Sequence, residues 1–234
     1  MGRMERKYLA HYLDGNFGEG TPSYVRLGKD LETYSEELNP QVEVRRNILG
    51  EQNVIHNGYQ VQSTADPFYA DQDDELFEPI ARIANERLTG DACKTTRVEV
   101  LVDEEGNQIW AYREDCWVVP NSVGGDTSGV QIPFGVYNAG GRVPGVWDVT
   151  DKSFTVATIS LNKTTASITG TGNTSITATT SPTVAGAVVE WKSSNPAVAT
   201  VNAGTVTGVA NGTAVITADW FGATASCVVT VSGN

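Results

Sequence analysis

The chain has 234 residues and a formal net charge of −12, from 16 Lys+Arg against 28 Asp+Glu. This length suits two domains, because one core usually serves about 100–200 residues. So acidic a chain frees no counterions from phosphate, which argues against tight nucleic-acid binding. Its apolar runs are a few residues long, far short of the ~20 that cross a bilayer, so no membrane partner is expected.

The charged start, Met1 to Lys7, has no apolar segment behind it, and no secretory signal is expected. Cys93, Cys116 and Cys227 are an odd, sparse set without a C-x-x-C pair. That points away from a disulfide framework or zinc ribbon and toward a reducing compartment. The charge is uneven. Residues 1–151 hold 13 Lys+Arg and 26 Asp+Glu, a net −13, while residues 152–234 hold Lys152, Lys163 and Lys192 against Glu190 and Asp219, a net +1.

Strands are expected near 6–13, 23–28, 40–48 and 54–63. Asp73-Asp74-Glu75 places acids where a helix N-terminus favours them. Leu76, Phe77, Ile80, Ile83, Ala84 and Leu88 recur at helical spacing behind them, and Gly90 supplies a C-terminal stop. A helix is predicted over 73–89. Thr96 to Val102 alternates as a strand, Asp103 to Asn107 turns, and Gln108 to Tyr112 starts the return. Val130 to Tyr137 and Arg142 to Trp147 read as a second hairpin across Asn138-Ala139-Gly140-Gly141, with Pro133 and Pro144 marking edges or strand ends. The first part is therefore α+β, rich in strands with one helix laid on them.

Composition breaks near Asp151. Eighteen of the last 83 residues are Thr, a residue that suits the pleated, half-buried surface of strands. Gly and Asn punctuate this region at short intervals, and Gly212 to Ala218 alternates cleanly. The pattern reads as a small β-sandwich. The whole chain is thus mainly β, with domains expected at 1–154 and 155–234.

Ala157 to Asn162, Trp191-Lys192-Ser193-Ser194-Asn195-Pro196-Ala197-Val198-Ala199-Thr200-Val201, Gly204 to Val209, Gly212 to Ala218 and Cys227 to Val231 resemble the bacterial Ig-like group 2 family over about 156–232. The motif makes physical sense. Trp191, Val198, Val201 and Ile216 are the expected core, and Asn195-Pro196 sets a turn. The resemblance implies a spacer or a weak surface-binding module without enzymatic chemistry.

Residues 1–154 are similar to major tail tube proteins of long-tailed phages that infect Gram-positive bacteria. The similarity is carried by Met4 to Asp14, Tyr24 to Leu31, Asn47 to Glu51, Trp110 to Asp115 and Gly124 to Phe134. It implies a β-sandwich with a flanking helix, six copies per ring, and rings stacked into a hollow tube that conducts the genome. It also implies partners: further copies of the chain, other tail proteins, and double-stranded DNA in transit without tight binding. The location implied is the virion tail, assembled in the host cytoplasm. Extended loops such as 40–68 are expected to order only against a neighbouring ring. Part of the acidic charge is expected to line the bore, with Glu36, Glu37 and Glu43 as candidates. The Ig-like domain is expected on the exterior, with host-surface glycans as its partner.

Other readings set beside these are a tail terminator, a head decoration protein, the tube of a phage-derived bacteriocin and a bacterial surface adhesin. Catalysis is not expected. His11 and His56 lack a nucleophile context, and Gly124 to Gly129 has no Lys and no strand-to-helix setting for a phosphate. Asp71 to Glu75 lacks the glycine and distal Glu of a calcium loop. Trp110, Trp117 and Trp147 read as packing groups rather than sugar-stacking ones. No cofactor or metal is expected.

Overall fold

In the computed structural model, which describes residues 3–29, 31 and 33–233, the chain is mainly β, as its composition implies. Met1 and Gly2 of the charged start, and Asp30 of the Tyr24–Leu31 stretch, lie outside the described residues. Two units divide the chain. One takes 1–104, 112–143 and 148–153, and the other takes 105–111, 144–147 and 154–234.

The first unit holds β1 (Leu9–Asp14), β2 (Tyr24–Leu27), β3 (Glu36–Glu37), β4 (Pro40–Arg46), β5 (Gln52–Tyr59), β6 (Gln62–Ala65), α1 (Phe77–Glu86), β7 (Lys94–Val102), β9 (Gly124–Asp126), β10 (Gly129–Gln131) and most of β8 (Gln108–Pro120) and β11 (Phe134–Asp148), while β12 (Ser153–Val156) falls almost wholly in the second. One curled sheet runs β2-β1-β7-β8-β11-β6-β3, with β12 also paired to β11. β4 and β5 form a separate two-stranded sheet, as do β9 and β10. The core gathers Leu13, Cys116, Val118, Phe134 and Val136 from the sheet, with Leu76 and Ile80 from the helical segment. The phenyl rings of Phe68 and Phe134 meet edge to face at 5.1 Å.

The helix is shorter than its periodicity suggests. The carboxylates of Asp71 and Asp74 accept bonds from the N–H groups of Asp73 and Leu76, two residues on. These Asx turns hold the chain out of the helix until Phe77. At the other end the helix stops earlier, at Arg87, which takes the left-handed conformation (φ 52°) and whose N–H caps Ile83, while Gly90, also left-handed (φ 63°), lies three residues beyond it. The second predicted hairpin is also absent. β11 runs unbroken from Phe134 to Asp148. A two-residue I′ turn needs positive φ at two consecutive positions, and between Asn138 and Gly141 Gly140 alone has it (φ 84°). The stretch 40–68, expected as extended loops, instead contains the paired but exposed β4–β5 hairpin followed by residues packed on the sheet. Ser63, Ala65 and Phe68 are buried, and β6 pairs β11 from Ala65↔Phe134 to Gln62↔Tyr137.

The second unit is an Ig-like β-sandwich. Its strands are β13 (Thr158–Leu161), β14 (Thr165–Thr169), β15 (Asn173–Ser175), β16 (Ala178–Ser181), β17 (Glu190–Ser193), β18 (Ala199–Asn202), β19 (Thr205–Gly208), β20 (Gly212–Trp220) and β21 (Ala223–Ser232). Sheets β14-β21-β20-β17 and β15-β19-β18 carry most of it, with β13-β16 beside them. Along β21, Cys227, Val229 and Val231 point inward while Ser226, Val228 and Thr230 face out. Val198 and Ile216 are buried in the core, and Trp191 and Val201 pack against it half-buried. The fully buried tryptophan is Trp220, whose indole N–H donates to the carbonyl of Pro182 at 3.2 Å. Gly204 (φ 80°) is required where it sits, since a Cβ there would lie 2.4 Å from the carbonyl oxygen of Ile176.

Candidate functional site

Two features of the first unit stand apart from ordinary core building. The first is the β4–β5 hairpin. Its register pairs Val42 with His56, Val44 with Val54 and Arg46 with Gln52 on one face, and Glu43 with Ile55 and Arg45 with Asn53 on the other. The hairpin is therefore amphipathic. Val42, Val44 and Val54 are each more than half exposed, and the tip carries Ile48 fully and Leu49 largely in solvent. On the opposite face Glu43 takes two bonds from the Arg45 guanidinium, at 2.8 and 3.0 Å. The Asn47 side-chain oxygen accepts the N–H groups of Leu49 and Glu51 and shapes the tip. An isolated two-stranded hairpin is marginally stable in water. This one presents an apolar face and two open edges.

The second feature is a buried ionic cluster at the base of that hairpin. β1 and β7 set His11 opposite Glu99 and Leu13 opposite Arg97. Leu13 belongs to the apolar core, so the same sheet face turns from apolar to ionic along its strands. The Arg97 side chain is 4% exposed. It donates to Glu114 at 3.0 and 3.2 Å and to Glu36. The Asn138 amide bridges Glu36 and Glu114 at 3.0 and 3.1 Å. Arg142 donates to Glu99 at 2.7 Å, and its guanidinium lies 4.1 Å from the Tyr112 ring centre. The Tyr34 ring packs against His11, and its hydroxyl bonds Ser63 Oγ at 2.6 Å.

Two arginines face three carboxylates, so the titratable groups share strain. Burial lowers the His11 pKa to about 4, outweighing the nearby Glu99 charge, and Arg97 adds to the lowering. Burial alone would raise Glu99. The hydrogen bond with Glu36 and the Arg142 charge overcome it and hold Glu99 near 2. Glu36 moves the other way, raised by burial and by its hydrogen bond with Glu99. Burial would lower Arg97, but Glu36 and Glu114 more than offset it and raise its pKa.

The three acids proposed for a bore occupy three settings. Glu36 is part-buried in the cluster, bonded to Arg97 and Asn138. Glu43 is exposed and paired with Arg45. Glu37 is exposed and takes a weak bond from the Gln62 amide at 3.3 Å. The cluster brings Glu36 together with none of the other sequence-predicted acids. Arg97, Glu99, Glu114 and Asn138 were not singled out by motif. Their one sequence signal is the charged i, i+2 pair Arg97 and Glu99 inside a strand. Asp71, proposed against as a calcium ligand, pairs with Lys29. No group of three or more His, Cys, Asp or Glu among the described residues is arranged to hold a metal ion. Gly124 to Gly129 forms the tight β9–β10 hairpin, where a Cβ at Gly125 would lie 2.1 Å from the Gly129 carbonyl oxygen.

Residues 149–219 match the family of bacterial Ig-like domains (group 2), so the chain carries such a domain. No curated protein matches the chain. Among solved structures it is similar to a chain described as "Cryo-EM Structure of an Extracellular Contractile Injection System, PVC sheath/tube terminator in extended state". That similarity has 10% identity, a TM-score of 0.40, and covers 62% of this chain and 99% of the other.

The cluster makes the first unit acid-sensitive. His11 binds a proton near pH 6.5 when unfolded but only near 4 when folded, so its contribution is complete above about 6.5 and lost as pH falls toward 4. The full loss is roughly 3 kcal/mol. Glu99 extends the trend, losing its contribution from 4.5 toward 2, while the raised Glu36 opposes it in part. Calorimetry from pH 7 to pH 4.5 should show the first unit's melting temperature falling by several degrees. His11→Gln should flatten that slope, and an equal slope in the variant would refute the assignment.

Proposed function

We infer that the protein is the repeating subunit of a phage-type tail tube. In this reading six copies close a ring, rings stack into a hollow tube that conducts the genome, and the Ig-like domain stands on the outside. The observation that carries it is the β4–β5 hairpin, whose valine face and edges are open to solvent. Such a face favours a partner, because burying each valine contributes about 1–2 kcal/mol. A second copy suits it. Edges that pair between identical subunits around a closed ring vanish for every copy at once. The similarity of residues 1–154 to tail tube proteins and the Ig-like match behind them support the same order of parts.

The bore reading narrows to Glu37. Glu36 serves the ionic cluster, and Arg45 neutralises Glu43 locally. An exposed acid repeated six times per ring repels the phosphate backbone and leaves a layer of water and ions. The Ig-like domain stays outside, since a domain of roughly 80 residues would block a bore sized for DNA. There it serves weak adhesion to host-surface glycans.

Negative-stain microscopy of the full chain tests the tube. Stacked hollow tubes are expected, and Val44→Asp should reduce their yield at least tenfold while leaving circular dichroism unchanged. Closed rings that never stack would favour a terminator instead, and persistent monomers would reject both. Phage carrying Glu37→Lys should assemble tails yet eject DNA more slowly, most visibly at low salt. Unaltered ejection kinetics would remove Glu37 from the bore. Deletion of 156–234 should keep tubes intact and reduce adsorption to host cells several-fold, and unchanged adsorption would end the adhesive reading.

A further inference from the structure

The chain enters the hairpin through Tyr34 to Asn39 and leaves it through Gln60 to Ala65. The entering strand, β3, has two residues, paired as Glu36↔Ser63 and Glu37↔Gln62. A two-residue ladder is too short to hold a hairpin of this length at one angle. Side chains supply what the ladder lacks. Asn39 and Gln60 close the neck, with Asn39 Nδ2 donating to the Gln60 carbonyl at 3.1 Å and the Gln60 N–H to the Asn39 carbonyl at 3.2 Å. Tyr34 and Ser63 tie entry to exit at 2.6 Å, and Arg6 holds the Tyr34 carbonyl at 3.1 Å. Glu36 then reaches past its own strand to Arg97 on β7 and Asn138 on β11, while Glu114 on β8 holds Arg97 from the other side.

We propose that this buried cluster is the root of the arm: Arg97 and Asn138, both anchored by Glu114, grip Glu36 and so fix the direction in which the β4–β5 hairpin leaves the sheet. Glu36 is thus a positioning residue. Arg97 Nη2 on β7 and Asn138 Nδ2 on β11 converge on the same Glu36 oxygen, while Glu114 fixes the guanidinium through two nitrogens, so the carboxylate is held from two directions by charge-assisted donors. An apolar plug would fill the same space without choosing an angle. The ionic alternative costs desolvation, and a specified direction is what it supplies in return. The consequence for assembly rests on the tube reading, but the direction of the arm can be measured without it.

Spin labels at Leu49→Cys, on the exposed tip, and Glu19→Cys, on an exposed loop of the same unit, report the arm's direction by double electron–electron resonance. The native Cys93, Cys116 and Cys227 are buried with thiol pKa values raised by burial, that of Cys116 to about 12, so they stay unlabelled. The parent should give one narrow distance. Glu36→Gln should broaden the distribution at least twofold while amide exchange in β7 and β8 stays unchanged, and tube yield should fall in parallel. An unchanged distribution overturns the proposal. So does equal loosening of arm and sheet, which would make the cluster a mere stabiliser. Should Glu36→Gln fail to fold, Tyr34→Phe is judged by the same two outcomes. A parent with a narrow distribution that never assembles would sink the tube reading and leave the root standing.

Discussion

A guanidinium cannot leave water alone. Arg97 is buried on a sheet strand, and removing such a charge from solvent costs several kcal/mol unless acceptors surround it. Those acceptors come from other strands: Glu114 from β8 and Glu36 from β3, with Asn138 of β11 bridging the two carboxylates. The requirement therefore links β3 at the end of the sheet order to β7, β8 and β11 further along it. It ties the two-residue β3, whose backbone pairs β6, to β7 and β11 through side chains. Leu13, the residue opposite Arg97 on β1, already belongs to the apolar core. The ionic cluster thus continues the hydrophobic core, and the two share one wall.

The two units handle open backbone edges differently. In the Ig-like unit, alternation is clean, long strands β20 and β21 pair along nine positions, and the inward residues meet in a closed core. The first unit leaves its β4–β5 hairpin unpaired on both outer edges, with valines on one face and an ion pair on the other. Exposed edges of that kind are an aggregation hazard unless a partner is provided. In the Ig-like unit every strand instead borders a sheet that contributes to one closed core.

The strands and the helical stretch were legible because period and punctuation speak locally. Val229 and Val231 announce an inward face, and Ile80 and Ile83 announce a helical one. The limits of elements were less legible. Asp71 and Asp74 can start a helix or form Asx turns, and only the tertiary setting decides. The glycines at 140 and 141 read as a turn, yet β11 passes through them, and only Gly140 of the four residues Asn138 to Gly141 has a positive φ. The cluster was the least legible part. In Thr96 to Val102 the alternation of Arg97 and Glu99 with Val98 and Val100 reads as one wet face and one dry face. Both faces are buried, since Val98, Val100, Arg97 and Glu99 are all under 9% exposed. Nothing local in the sequence says that Glu36 and Glu114 will meet Arg97, because that pairing joins residues 61 and 17 positions apart.

Screening decides how the acidic charge can act. Four exposed cations of the first unit are matched locally, Lys29 with Asp71, Lys94 with Asp115, Arg82 with Glu86 and Arg45 with Glu43. Each such pair adds little stability, but it removes a cation from the field that an approaching polyanion meets. Acids remain in excess, as around the cleft of about 720 Å³ where Glu19, Asp73, Asp74 and Glu78 gather. At physiological salt their influence reaches only about 8 Å. The net −13 of residues 1–151 therefore cannot act on DNA as a total. An acid on the outer wall of a tube is silent to a duplex inside it, and an acid on the inner wall is felt at every ring. That makes the direction of each side chain the controlling variable. In the proposed tube the arm's angle would then have an electrostatic role as well, because β3, which carries Glu37, is held by the same contacts that hold Glu36.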